Sequence, residues 1–313
     1  MVAVMDKINV KKDWKGSKSL LVVDVSAVMR TKFIPLMSEG ELAFMSKTRG
    51  GKFRRPLSYI VNGEEMNTSS MFGLFQLFKM YGTNVDYVFC FDAPNNLLKK
   101  IDENYKKNRV KMGSDYFDQV NTVYKVLEES GFTVMMEDGY EGDHHVHEAV
   151  EYNYSKYDHI GVITNDHDLS CLVDDKVVWI NTLKKRTDIT KDNYPLVLNC
   201  PYNAILLKKC LVGDKSDEIK GVYRFGEAKF QKFFEEEELH GEDIYMNECE
   251  IIENAYTLTD VQKEEALEAL QVIHPLEVSV SARVKTDIKV PVLWAFLNKY
   301  GMKSIEKEWK VTV

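Results

Sequence analysis

The sequence predicts an α/β fold with a mainly parallel sheet flanked by helices. Five apolar runs rich in β-branched residues have the length and composition of buried strands, and helical patterns separate them. Two of the helical patterns stop at a glycine, Gly82 and Gly131, which is a common end signal. Strands that alternate with helices are typical of a parallel sheet covered on both faces. The five runs are residues 20–25, 85–91, 132–136, 160–164 and 177–180.

The pattern changes near Asn199, where the alternation of strands and helices gives way to a helical, acidic sequence. The chain contains no internal repeat and no Pro- or Ser-rich linker. We therefore predict an α/β domain over residues 1–199 and a helical region over residues 200–313.

The composition of the 313-residue chain is that of an ordinary globular protein. It is 44% hydrophobic and 29% charged, and no run reaches the roughly 18 apolar residues of a membrane span. The N-terminal segment is too charged for a secretory signal. These features predict a cytoplasmic protein without a membrane partner. The five cysteines lack CxxC spacing, so reduced thiols are expected rather than a zinc site.

Acidic residues follow four of the predicted strands. The carboxyl ends of parallel strands meet at one edge of a sheet, which is where open α/β sheets bind ligands. For Asp166 and Asp168 taken alone, a helix cap and a solvated side chain are the alternative. Carboxylate oxygens suit Mg²⁺ or Mn²⁺, and two such ions about 4 Å apart can hold a phosphodiester between them. The predicted ligands of this two-ion site are Asp24, Asp92, Glu141, Asp143, Asp166, Asp168, Asp214 and Asp217.

Basic residues are concentrated in other segments. The net charge of −8 argues against a polyanionic partner unless bases and acids form separate patches. Residues 38–67 are expected to form a basic, loop-rich insertion, and residues 95–111 either form a solvated charged helix or contact phosphates. Tyr105 in the latter segment is available to stack on a base. The candidate DNA contacts are Lys99, Lys100, Tyr105, Lys107, Lys184, Lys185 and Arg186.

Two other chemistries have weaker sequence support. Ser26 and Ser170 do not lie in a GxSxG turn, so serine catalysis is not indicated. His144, His145 and His147 do not form an HExxH pattern, and three histidines within four helical residues point in different directions. We expect a surface role for His145 and His147.

Several short motifs occur together and in a fixed order. Residues 211–226, LVGDKSDEIKGVYRFG, are similar to LVGDxSDNIPGVPGIG, and residues 164–168, TNDHD, resemble TxDxD. Three shorter motifs also match in type and order. They are FD at residues 91–92, YKKNR at 105–109, which matches YKxxR, and YEGD at 140–143, which matches xEADD. This set, over about residues 20–229, resembles the 5′-nuclease superfamily of flap endonucleases, phage 5′ to 3′ exonucleases and the 5′-nuclease domain of bacterial DNA polymerase I.

The resemblance implies a PIN-like α/β domain, a helical arch at about residues 95–120 and a helix-hairpin-helix-type element in the C-terminal region. Asp24, Asp92, Glu141 and Asp143 would bind one metal ion. The second ion would be bound by Asp166, Asp168, Asp214 and Asp217. Lys106 and Arg109 would act on the scissile phosphate. Gly221, Arg224 and Gly226 would contact DNA at the hairpin, where the resemblance also implies a monovalent cation.

The implied function is a metal-dependent 5′ to 3′ exonuclease or flap endonuclease, active in primer removal or repair. It would act as a monomer, alongside replication proteins, on 5′-flap, nicked or gapped DNA or on an RNA–DNA hybrid. Such enzymes leave a 5′-phosphate and a 3′-hydroxyl.

Three departures from the motifs leave alternatives open. His144 replaces the second Asp of ADD, Arg224 replaces a glycine, and Glu218 and Lys220 replace N and P of SDNIP, the last two at little expected cost. The first two departures suggest a catalytically weakened, structure-specific DNA-binding protein as an alternative. A haloacid-dehalogenase-type phosphatase is a further alternative, because Asp24 ends a strand and GDKSDE follows downstream. Against it, Ser26 occupies the place of the second Asp in the DxD motif of that family.

Overall fold

The core of the protein is a five-stranded parallel sheet. A computed structural model describes residues 7–33, 58–102, 105–108, 112–183, 186–240, 244 and 247–309, and within helices and strands the side chains of Val61, Lys99, Glu308 and Trp309 are not described. The sheet order is β5-β4-β1-β6-β7, and every pairing in it is parallel. Its strands are β1 (Ser19–Asp24), β4 (Asp86–Cys90), β5 (Thr133–Met135), β6 (His159–Thr164) and β7 (Val177–Asn181).

All five predicted strands are confirmed, each within one or two residues of its predicted bounds. The central strand β1 pairs in register with both neighbours, so that Val22 lies beside Val88 of β4 and Val162 of β6. The chain crosses from one side of β1 to the other between β5 and β6. The carboxyl end of β1 is therefore the switch point at which such sheets bind ligands.

Helices precede, separate and follow the strands. In chain order the α-helices are α1 (Val10–Asp13), α2 (Val25–Lys32), α3 (Ser69–Tyr81), α4 (Leu98–Ile101), α5 (Ser114–Glu129), α6 (Gly142–Asn153), α7 (Tyr194–Leu198), α8 (Ile205–Val212), α9 (Glu227–Glu236), α10 (Glu248–Asn254), α11 (Asp260–Ile273), α12 (Val290–Lys299) and α13 (Lys303–Trp309). Short 3₁₀ turns cover Tyr154–Lys156, Asp168–Leu172 and Lys191–Asn193.

Part of the expected loop-rich insertion is instead an antiparallel hairpin. Strands β2 (Ser58–Val61) and β3 (Glu64–Asn67) pair across Asn62 and Gly63, whose φ angles are 53° and 87°. An Asn-Gly pair with two positive φ angles is a strong two-residue hairpin signal, which the charge pattern of the segment obscured. The rest of the expected insertion, residues 38–57, lies outside the described residues.

The side chains of β1 separate the core into two layers. Leu21 and Val23 point to one face, where they pack in a cluster with Phe75 and Phe78 of α3. Leu20 and Val22 point to the opposite face, in a cluster with α6 residues such as Val146. This alternation follows from the two-residue period of a strand, and burying each large apolar side chain contributes about 1.5–3 kcal/mol.

The C-terminal helices pack in two places. Helices α8 to α11 surround a third cluster that contains Leu211, Phe230 and Leu270. Helices α12 and α13 return to the α3 face of the sheet, where Leu293 and Ile305 are fully buried. The boundary at residue 199 stays a prediction, and the last two helices belong to the packing of the sheet. Within the described ranges, no helix has the length and apolarity needed to cross a lipid bilayer.

Candidate metal and nucleic-acid site

Asp24 is the last residue of β1 and the cap of helix α2. One carboxylate oxygen accepts the Ala27 N–H at 3.0 Å, and the other accepts the Thr164 hydroxyl at 2.8 Å. The side chain is buried, with 7% exposure. Burial, followed by the neighbouring charge of Asp92, raises the pKa of Asp24 to about 7. The carboxylate is thus fixed in place but lacks sufficient compensating charge.

Asp92 lies just beyond β4, beside Asp24 in the sheet. Its Oδ1 accepts the Gly142 N–H at 2.7 Å, and its Oδ2 lies 3.9 Å from the Arg30 guanidinium. Gly142 begins helix α6, so the start of that helix is tied to the end of the neighbouring strand. This contact brings Glu141 and Asp143, which flank Gly142, to the carboxyl end of β4.

Glu141 binds two residues of the predicted arch. Its Oε2 accepts the Tyr105 hydroxyl at 2.8 Å and the Lys106 Nζ at 2.9 Å. Burial and the charge of Asp143 raise the pKa of Glu141, although Lys106 opposes the shift. The Tyr105 ring is only 4% exposed. The expectation that Tyr105 is free to stack on a base is therefore wrong for this conformation, because the ring lies inside the acidic site.

Five of the predicted carboxylates line one cavity of about 60 Å³. They come from the ends of four strands, as the parallel sheet requires. Lys106 and Arg30 are the basic residues in its wall. The residues that line it are Asp24, Ser26, Ala27, Arg30, Asp92, Lys106, Glu141, Asp143 and Asp166.

The other three carboxylates form an adjacent group that we call the Lys209 cluster: Asp168, Asp214, Asp217 and Lys209. Oxygen atoms of its three acids lie within 4.8 Å of one another, an arrangement that can hold a metal ion. Lys209 of α8 contacts both Asp168 and Asp214. Burial opposes the charge on Lys209, but the two aspartates more than offset this and raise its pKa.

The carboxyl groups of the Lys209 cluster differ in pKa. Burial, and then the charge of Asp166, raise the pKa of Asp168 to about 8 despite Lys209. Burial also raises the pKa of Asp217. For Asp214, burial is outweighed by the contacts with Lys209 and Ser216, which lower the pKa. Asp166, whose Oδ1 accepts the Asp168 N–H at 3.1 Å, lies between the cavity and the Lys209 cluster.

Close backbone contacts shape the connection between α8 and α9, residues 213–226. Asp214 and Ile219 exchange two backbone hydrogen bonds of 2.8 Å. A side chain at Gly221 would place its Cβ 2.4 Å from the Gly213 nitrogen, and the φ of Gly221 is +66°. Gly221 is therefore required for this packing, apart from any contact with DNA. Gly226, which caps α9, has open space around it.

The donors present fit hard divalent cations. All eight predicted ligands are carboxylates, the preferred ligands of Mg²⁺ and Mn²⁺. The raised pKa values of Asp24, Glu141 and Asp168 show that the protein's own cations do not balance this charge. A bound cation would lower those pKa values. The number of ions and the role of each carboxylate stay predictions.

Of the three histidines of α6, His144 and His145 are buried and His147 is partly buried. His145 is fully buried, its Nε2 accepts the Glu137 N–H at 3.1 Å, and burial lowers its pKa to about 4. Burial lowers the pKa of His147 to about 3. The expected surface role of His145 is wrong, because the packing of α6 buries its ring, whereas His147 keeps part of its surface exposed.

His144, which replaces a carboxylate of the motif, is 3% exposed. Its Nδ1 accepts the Leu276 N–H at 3.1 Å, so the proton of the neutral ring lies on Nε2. Among the described residues, Nε2 has no hydrogen-bond partner. The ring lines a cavity of about 20 Å³ together with Asp143, Asp168 and Asp217. His144 thus shares a small cavity with three of the acids, and its imidazole cannot supply the oxygen ligands of the carboxylate that it replaces.

The candidate DNA contacts are described in part. Lys100, Lys107, Arg186 and Arg224 are exposed. Arg224 lies over the Tyr223 ring, 5.1 Å from its centroid, and has a left-handed φ of 56° where the motif has glycine. Arg109, Lys184 and Lys185 lie outside the described residues, as does the side chain of Lys99. Their roles stay predictions.

Sequence reasoning missed several residues of the site. Lys209, Arg30 and Thr164 contact the carboxylates. Lys209 and Arg30 belong to no motif that was singled out, and Thr164 lies in TNDHD but was given no role there. One signal was available for Lys209, because it lies on the last turn of the helix that leads into Asp214. For Arg30, the signal was its position on the helix that begins at Asp24.

Carboxylates and lysines gathered at the switch point of a parallel sheet define an α/β protein of the kind that processes phosphate esters. The family described as 5′-3′ exonuclease, N-terminal resolvase-like domain, matches residues 19–196. The chain belongs to this family of nucleases, which hydrolyse phosphodiesters. This assignment removes the haloacid-dehalogenase alternative.

Two curated relatives match part of the chain. DNA polymerase I of Caldicellulosiruptor bescii is 29% identical over 201 residues, which cover 61% of this chain and 23% of the polymerase. A 5′-3′ exonuclease of Mycoplasma pneumoniae is 26% identical over 226 residues, which cover 66% of this chain and 73% of that protein. The chain thus spans less than a quarter of the polymerase.

Two solved structures share the fold. A bacteriophage T5 protein co-crystallised with metal ions is 18% identical, with a TM-score of 0.55, over 93% of this chain and 99% of that chain. A bacteriophage T5 flap endonuclease in complex with DNA and metal ions is 16% identical, with a TM-score of 0.56, over 94% of this chain and 97% of that chain.

Proposed function

We propose that the protein is a divalent-metal-dependent 5′-nuclease that hydrolyses DNA or RNA–DNA phosphodiesters at 5′ ends or flaps. The observation that carries this proposal is the convergence of carboxylates from four strand ends on one cavity, with Lys106 in its wall. The Lys209 cluster continues the same acidic surface. Only one carboxylate of the motifs is replaced, by His144, and the other eight are present, which favours an enzyme over a catalytically weakened DNA-binding protein.

In this proposal the carboxylates of the site bind metal ions, and Lys106 binds the scissile phosphate. Bound divalent ions would activate a water molecule and stabilise the leaving oxygen. The carboxylates would supply their oxygen ligands. Lys106, now paired with Glu141 at 2.9 Å, would donate to a non-bridging oxygen of the scissile phosphate and stabilise the charge that develops there.

Exposed bases would hold the rest of the substrate. Lys100, Lys107, Arg186 and Arg224 are exposed and would bind phosphates, and such contacts are independent of base sequence. The T5 flap endonuclease structure, which contains DNA and metal ions, supports this class of substrate. The cytoplasmic location, the monomeric state, the replication partners and the monovalent cation near Gly221 to Gly226 stay predictions.

Cleavage of a labelled 5′-flap DNA tests the proposal. We expect the wild-type protein to release short products in Mg²⁺ or Mn²⁺. Asp24→Asn should lower kcat by about 1000-fold or more, roughly 4 kcal/mol of barrier, while DNA binding in a gel shift is retained. The matched control is Asp175→Asn, at the opposite edge of the sheet, where the carboxylate is 86% exposed.

The outcomes separate the alternatives. Tight binding of branched DNA without hydrolysis in any divalent metal would select the weakened DNA-binding protein. Full activity of Asp24→Asn would instead show that the hydrolytic site lies elsewhere.

A further inference from the structure

Glu218 connects the predicted arch to the connection between α8 and α9. Its carboxylate accepts the backbone N–H of Lys107 at 2.5 Å and that of Asn108 at 3.2 Å. It also accepts the side-chain amide of Asn108. These contacts join segments that are about 110 residues apart in the chain. Glu218 was expected to replace an asparagine of the motif at little cost, and the structure gives it a specific set of partners.

The backbone on both sides of this contact is strained. Lys106 has a φ of 51° and Glu218 has a φ of 65°, both in the left-handed region. Residues with a side chain rarely adopt this conformation, and they persist where surrounding contacts hold them. The hydrogen bonds from Lys107 and Asn108 to Glu218 supply such contacts on the arch side.

The charge of Glu218 also requires an explanation. The residue directly follows Asp217 and lies beside an already acidic site, so a further carboxylate adds repulsion towards both the acids and DNA phosphates. Two backbone amides pointing at one carboxylate form charge-assisted hydrogen bonds, which are about twice as strong as neutral ones. An asparagine would offer one acceptor oxygen on a shorter side chain.

The segment 105–108 is therefore held at two points. Tyr105 and Lys106 bind Glu141 through their side chains, at 2.8 and 2.9 Å. Lys107 and Asn108 bind Glu218 through their backbone. Lys106 is fixed between these two anchors, with its Nζ in the wall of the carboxylate cavity.

We propose that Glu218 is a positioning residue that fixes Lys106 at the carboxylate cavity. The inference rests on the proposed function, in which Lys106 binds the scissile phosphate. Because Lys106 acts on charge that develops during the reaction, loss of its anchor should affect kcat more than KM.

Amide hydrogen exchange of the metal-free protein tests the anchor without any measurement of activity. We expect Glu218→Ala to accelerate exchange at Lys107 and Asn108 by about 10-fold or more, since those N–H groups lose their acceptor. The matched control is Glu235→Ala, an exposed glutamate of α9, which should leave exchange at these two amides unchanged. Equal exchange rates in Glu218→Ala and the wild type would overturn the proposal.

Flap-cleavage kinetics test whether the anchor acts through Lys106. Glu218→Ala should lower kcat by about 10- to 100-fold, as expected for a small displacement of a catalytic group, with KM changed by less than about 3-fold. In a Lys106→Ala background, Glu218→Ala should cause no further loss of kcat. In the otherwise wild-type protein, Glu218→Gln keeps one acceptor oxygen, so its kcat should lie between those of the wild type and Glu218→Ala.

Losses that multiply in the double variant, or a change confined to KM, would overturn the positioning role. A wild-type protein that cleaves no substrate in any divalent metal overturns the proposed function instead. In that case, the exchange experiment alone decides whether Glu218 anchors the segment.

Discussion

The two parts of the acidic site hold their negative charge in different ways. In the Lys209 cluster, a single lysine on helix α8 contacts two of the three carboxylates. Around the cavity, Lys106 comes from a short non-helical segment and pairs with Glu141, while Arg30 stays 3.9 Å from Asp92. Asp24 is left without an adjacent cation among the described residues, and its pKa rises to about 7.

This difference suggests two separate tasks for the lysines. Lys209 is built into a helix and compensates charge as part of the fold. Lys106 is held by hydrogen bonds from outside its own segment, so a phosphate can compete for it without unfolding a helix. One lysine would then serve mainly stability and the other mainly the reaction.

Removing each lysine gives the largest expected effect. Lys209→Met should lower the free energy of unfolding of the metal-free protein by about 3 kcal/mol, because two partly buried carboxylates lose their cation. Lys106→Met should cost less, about 1 kcal/mol, since Glu141 keeps the Tyr105 hydroxyl as a donor. Denaturant unfolding in EDTA measures both values.

Added Mn²⁺ sharpens this prediction. It should restore more stability to Lys209→Met than to the wild type, because the ion takes the position of the lost charge. Equal losses for the two lysine variants in EDTA would refute the assignment of separate tasks.

The pH dependence of stability should have opposite signs at two carboxylates of the site, Asp24 at the cavity and Asp214 in the Lys209 cluster. The folded-state pKa of Asp24 is raised from 3.8 to about 7, so its stabilising contribution is full below pH 4 and is lost as the pH rises to 7. The pKa of Asp214 is lowered, so its contribution is present at neutral pH and is lost as the pH falls below about 4. The contribution of Asp24 should be on the order of 4 kcal/mol.

Thermal unfolding of the metal-free protein between pH 3 and pH 9 measures this difference. Asp24→Asn should remove part of the decline in stability between pH 4 and pH 7. Asp214→Asn should lower stability at pH 7 and have little effect at pH 3. The same pH profile for both variants would show that the two carboxylates do not differ as described.

The smallest effect is expected at the tip of the α8–α9 connection, which carries Asp214 and Asp217. Arg224→Gly should raise the free energy of unfolding by up to about 1 kcal/mol, because glycine adopts the observed φ of 56° without strain. DNA binding should weaken, with a salt dependence smaller by about one phosphate contact. Arg224→Lys, the control, keeps both charge and strain; if it gains stability equally, the gain does not come from relief of backbone strain.

The sequence was most informative where chemistry follows from local pattern. Buried β-branched runs predicted all five strands of the parallel sheet, and acids at the strand ends predicted the edge on which they gather. The hairpin at residues 58–67 was missed because its Asn-Gly turn lies in a segment that charge made look like a loop.

Long-range packing accounts for the other differences. Tyr105 is buried because Glu141 accepts its hydroxyl, and His144 is buried against Leu276, 132 residues away. Neither partner can be identified from spacing along the chain. The same holds for Glu218, whose partners are backbone amides that leave no signature in the sequence.

The parallel sheet also shows where a label or a tether can be attached, at the edge opposite the acidic site. Asp175 lies in the turn before β7, at the amino end of the strands, and its side chain is 86% exposed. A fluorescent tag or a tether to a glass surface at this turn would leave the opposite edge facing solution. Single molecules attached there could be watched while they process a strand.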